Sequence, residues 1–212
     1  MGNSAYYEDL KALARDKRQL YGVQTALFGL RQVRAIYKAE NIKIDTWPLP
    51  ASIKALYMCD DGVCSVALKR DLPDEPKLFA LVHELKHNYR DRTSLAAGMI
   101  SASGDWNARD PIEIGAEVFA AEFIYPEAEC LADIRAANVQ LWTAEAIVSF
   151  KQSCRAKVSY TFLVKRLEWF GLAEKGAFKG VQFKKLEEQI FGVPFYKRRF
   201  RHSTATARGS RQ

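Results

Sequence analysis

Two of the chain's three histidines stand four residues apart in His83-Glu84-Leu85-Lys86-His87, inside the apolar, helix-forming run LFALVHELKHNYRDR. Few short patterns restrict a chain more. In a helix, positions i and i+4 are neighbours on one side, so both imidazoles can reach one metal ion while Glu84 can reach a water bound to it. At about 100° per residue, Leu78, Leu81, Val82, Leu85 and Tyr89 share a face that is expected to pack inward. His83 and His87 fall near the opposite face, one turn apart. Pro73 and Pro76 mark the start of this helix.

A catalytic zinc site needs a third protein ligand and one position left for water. The remaining histidine, His202, lies in the C-terminal tail, so carboxylates are the candidates. Asp110-Pro111-Ile112-Glu113 is a helix-start signature, with Asp as cap, Pro in the first helical position and Glu three residues after the cap. The helix it opens, PIEIGAEVFAAEFIY, ends before Pro126 and has an apolar face of Ile112, Ala116, Phe119 and Phe123. Glu113 and Glu117 lie together on the flank of that face, while Glu122 points elsewhere. Carboxylates on so apolar a helix are costly to bury without partners, and a metal ion or an imidazole N–H is such a partner. We read Glu113 as the third metal ligand and Glu117 as the acceptor that holds His83 or His87 in its metal-binding tautomer. The sequence alone leaves open which of the two is the ligand. Tyr89 and Tyr125 are the candidates for oxyanion or substrate contact. The expected cofactor is Zn2+, one ion per chain, with Mn2+ as the alternative.

Around these helices, residues 5–20 and 23–39 read as helices, and IKIDTWPLP as a short extended segment running into a loop. IKALYM and CSVALK form a hairpin around Asp60, Asp61 and Gly62. Residues 91–110, rich in Gly, Ser, Asn and Asp, read as a long loop. Helices are expected over 127–137, 144–154, 160–170 and 181–191, giving an α+β protein with a small sheet beside a helical bundle. A hydrophobic share of 48% and a charged share of 27% exclude a disordered or fibrous chain. Cys59 and Cys64 flank the DDGV turn. In a cytosolic chain, where thiols stay reduced, they read as half-buried strand residues rather than as a disulfide.

The net charge of +7 raises the question of nucleic acid. Six cations (Lys197, Arg198, Arg199, Arg201, Arg208 and Arg211) sit in the last 17 residues, which hold no acid and account for nearly all of that excess. The body is therefore close to neutral, and a basic, disordered tail makes at most non-specific contacts to nucleic acid. With no apolar run long enough to span a bilayer and no signal-peptide core at the N-terminus, no membrane partner and a cytoplasmic location are expected.

LVHELKHNYRDR followed by PIEIGAEVFAAEFIYP resembles the ImmA/IrrE family of bacterial and phage metallopeptidases. That family carries HExxH and then a helix reading roughly E-x-E-A-N/D-x-F-A-x-x-L-x-P, matched here by Glu113, Ala116, Phe119, Ala120 and Pro126. The hairpin ALYMCDDGVCSVALK upstream and VSYTFLVKRLEWFGL downstream extend the likeness over residues 20–175. Gly115 stands where the family often has its second Glu, Glu117 where it often has Asn or Asp, and Lys86 where many members have Gly. The lysine is expected near the mouth of the site. The resemblance implies an α+β, mostly helical zincin-like domain with a small antiparallel sheet over 1–126. A helix-turn-helix-like helical segment at 127–195 and the tail at 196–212 would follow. It also implies a zinc-dependent endopeptidase with Glu84 as general base, acting on a helix-turn-helix repressor encoded nearby to control a stress response or a mobile element. An extended substrate could add a strand to the edge of the hairpin at 55–68. Two rival readings are a non-catalytic metal protein that sequesters a repressor or toxin, and a DNA-binding regulator using residues 144–170 as a helix-turn-helix.

Overall fold

A computed structural model of the chain describes residues 2–95, 101–104 and 110–192. The basic tail at 196–212, with His202, lies outside the described residues.

The N-terminal pair of helices is α1 (Gly2–Leu20) and α2 (Leu30–Ala39). The second starts later than its apolar spacing suggests, because the amides of Leu27 and Phe28 both bond the Gln24 carbonyl in a turn and Gly29 is extended. Val33, Ile36 and Tyr37 form the buried face of α2.

A four-stranded mixed sheet follows, in the order β1-β3-β2-β4. The hairpin is β2 (Ile53–Asp60) and β3 (Val63–Lys69), joined by a two-residue turn. Asp61 and Gly62 both have positive φ there (44° and 79°), the conformation that matches strand twist and that glycine adopts without strain. The segment expected to be merely extended is β1 (Ile42–Trp47), paired parallel to β3. The stretch expected to be one long loop contains β4 (Ser101–Gly104), antiparallel to β2. Among the described residues β1 pairs along the length of β3 and β4 along Ile53–Tyr57 of β2, so most of the hairpin edge expected to take a substrate strand is occupied.

Cys59 and Cys64 stand directly opposite each other across the hairpin, with Cα atoms 4.1 Å apart, and are joined by a disulfide. This corrects the expectation of two unlinked strand residues. The two-residue turn puts them in direct cross-strand register, on the same face of the hairpin.

The remaining elements are α3 (Asp74–Lys86), a π-helical turn at His87–Asp91, α4 (Arg92–Leu95), α5 (Pro111–Ile124) and α6 (Glu127–Ala137), then α7 (Ala144–Ser153), α8 (Tyr160–Trp169) and α9 (Phe183–Phe191). No helix among the described residues is long and apolar enough to cross a membrane. The helices and the small sheet make this an α+β protein.

The chain divides into two compact units, Met1–Asp133 with Arg155–Ser159, and Ile134–Cys154 with Tyr160–Gln212. The division falls inside α6 rather than ahead of it, because Arg155 returns to the first unit and donates through Nε to Asp133 at 2.8 Å. In the second unit Tyr160 stacks on Phe183, with ring centroids 4.8 Å apart. The buried Glu187 accepts hydrogen bonds from Tyr160 and Gln152. Phe162, Leu163 and Leu167 of α8 are buried as well, so its apolar side is used in packing.

Candidate metal centre

The first unit is built around α3, which contacts α2, strands β2, β3 and β4, and α5. From Ala80 to Lys86 every residue of it is buried. Leu78, Leu81, Val82 and Leu85 are buried as their spacing predicts, but so are His83 (4% exposed), Glu84, Lys86 and His87 (each 0%). The face that carries the histidines is covered by α5. That helix starts as its sequence predicts, with the Asp110 side chain accepting from the Ile112 amide at 2.8 Å and Pro111 in the first turn.

Between the two helices, ligand atoms of His83, His87 and Glu113 all lie within 4.8 Å of one another. Nε2 of His83 is 3.0 Å from one Glu113 oxygen and Nε2 of His87 is 3.7 Å from the other. Donors on a tetrahedral zinc ion at ordinary bond lengths stand about 3.3 Å apart, so these two separations bracket what the ion requires. Two imidazoles and one carboxylate, all buried, make the donor set of a catalytic zinc site with one position open. The residues fit a divalent ion.

The ring of His87 is fixed from behind. Its Nδ1 is 2.7 Å from Asp91 Oδ2, the geometry of an Nδ1–H donor, which leaves the Nε2 lone pair toward Glu113. Asp91 is four residues beyond His87, and the π turn joining them is of the kind that accumulates at functional sites. Burial acts to raise the Asp91 carboxyl. The bonds from His87 and Lys86 outweigh it and hold that carboxyl below its ordinary value. Sequence reasoning missed Asp91. Its signal was the i+4 spacing from a ligand histidine, hidden in a run, RDR, that reads as solvated surface.

Glu117, expected to orient a histidine, is exposed instead; the carboxylate on His87 is that of Asp91. Glu84 is fully buried on the turn between the two histidines. Burial chiefly, and the Glu84 charge in addition, push the nearby Tyr37 phenol well above its ordinary value. Tyr37 donates to the Leu81 carbonyl at 2.7 Å. The two tyrosines proposed from sequence for the oxyanion are engaged elsewhere. Tyr89 lies under the Lys17 ammonium and packs edge-on against Phe119, and Tyr125 donates to Asp133. Lys86, expected at the mouth, is buried beneath the site.

Gly115, where a second glutamate would stand, faces α1. A Cβ there would lie 2.7 Å from Leu10 and 2.9 Å from Tyr6. A side chain at 115 would therefore point into the α1–α5 interface, while Glu113 faces α3.

A His-Glu-x-x-His helix with a carboxylate brought in by the next helix defines the class of metallopeptidase-like folds. A family of peptidases described as the IrrE N-terminal-like domain matches residues 38–168, more than half of the chain, and the chain belongs to that family. No curated protein matches the chain.

Proposed function

We propose that the chain is a zinc-dependent endopeptidase that hydrolyses a peptide bond in a protein substrate. The observation that carries the reading is the convergence of His83, His87 and Glu113 with Glu84 between them. A purely structural site closes all four positions and has no use for a base. When bound, the ion supplies Lewis acidity, making water acidic enough to ionise near neutral pH and drawing charge from a carbonyl. Glu84 takes the proton of the attacking water as the C–O bond forms, then passes it to the amine as the C–N bond breaks. Asp91 keeps His87 in its ligating tautomer throughout.

The family resemblance supports a helix-turn-helix repressor as the substrate, with release of a stress response or a mobile element as the outcome, in the cytoplasm. The test is to incubate zinc-loaded wild type and Glu84→Gln with the repressor encoded by the neighbouring gene and follow cleavage by mass spectrometry. Cleavage by the wild type and a rate at least about 100-fold lower in Glu84→Gln is expected. Equal cleavage by both would reject the mechanism.

A further inference from the structure

Lys86 carries a full charge at a position with 0% exposure, which a folded chain tolerates only where the ammonium is bonded on several sides. Its Nζ donates to Asp91 Oδ2 at 2.7 Å and to the Ile112 carbonyl at 3.0 Å, and lies 6.0 Å from the centre of the Tyr6 ring. The first partner is the oxygen that accepts from His87 Nδ1. The second belongs to the peptide that leads into Glu113. One ammonium thus touches the group that orients one ligand and the backbone that presents another, on two separate elements.

We propose that Lys86 is a positioning residue for the metal site, fixing His87 through Asp91 and holding the first turn of α5 so that Glu113 faces the histidines. The inference rests on reading His83, His87 and Glu113 as the ligands of a divalent ion. An ammonium is suited to this role because its three N–H donors can serve acceptors in different directions. A methionine of similar length fills the space but bonds neither. Asp91 would then lose the partner that sets its rotamer, and α5 its tie to α3.

The test uses the full-length, metal-free protein. Zinc affinity is measured by competition with a chromophoric chelator, and the 15N shifts of the His87 and His83 rings are recorded before zinc is added. In Lys86→Met, zinc affinity is expected to fall about 10–100-fold. The His87 shifts should move from an Nδ1–H tautomer toward a tautomer mixture. Lys86→Met and Asp91→Asn should be non-additive when combined, because both act through His87. Should Lys86→Met fail to fold, Lys86→Gln takes the same two readouts under the same criteria. A variant with lowered thermal stability but unchanged zinc affinity and unmoved His87 shifts would overturn the role of Lys86 alone. Wild-type protein that takes up no zinc would overturn both this inference and the reading beneath it.

Discussion

Glu113 and Asp91 divide between them the tasks that their charge alone would not distinguish. Glu113 closes on both histidine Nε2 atoms, and Asp91 stands behind one ring at Nδ1. Tyr21, by contrast, donates to Glu40 and so joins the ends of α1 and α2. Burial, and then the bond to Glu40, push the Tyr21 phenol up to about 12. A raised phenol favours the folded state while it is neutral. That contribution is complete below its unfolded value of 10.0 and is lost as pH rises through about 12. The difference in absorbance titration at 295 nm between wild type and Tyr21→Phe should show a midpoint near pH 12, and the stability advantage of wild type should shrink above pH 10. A midpoint at 10 would mean that the hydroxyl is solvated and unbonded. At this scale the two histidines were legible from their i, i+4 spacing, and Glu113 only as one of two candidate carboxylates. Asp91 and Lys86 were not, because a charged pair reads as surface until the covering helix is in place.

Among the elements, α3, the π turn and α5 act together. The start of α5 was legible because Asp110 and Pro111 act locally, on the turn that contains them. The full burial of Lys86 was not, because the inward stripe of leucines says nothing about how closely the other face is covered. Strands β1 and β4 were missed for a related reason. Each is short and stabilised by a partner distant in sequence. The glycine at 115 tests how α1 and α5 meet. Gly115→Glu, which would restore the glutamate common in the family, should supply no ligand and should destabilise the protein by about 3 kcal/mol or more, since it drives a charge against Leu10 and Tyr6. Thermal or urea unfolding measures this directly. A Gly115→Glu protein as stable as wild type would mean that the position faces solvent.

For the whole molecule, an α+β architecture was legible from the order of helices, hairpin and helices. The placement of the unit boundary within α6 was not, because it depends on Arg155 reaching back to Asp133. The cross-strand disulfide follows from hairpin register rather than from any cysteine pattern. The fold brings a helix pair together so that residues 30 apart in sequence can hold one ion, and that assembly is most directly tested by titrating zinc into metal-free wild type, Glu113→Ala and Glu117→Ala in a calorimeter. One ion per wild-type chain is expected, with affinity lowered at least about 100-fold in Glu113→Ala and unchanged in Glu117→Ala. No zinc uptake by the wild type, or Glu113→Ala binding as tightly as the wild type does, would contradict a site shared by α3, its π turn and α5.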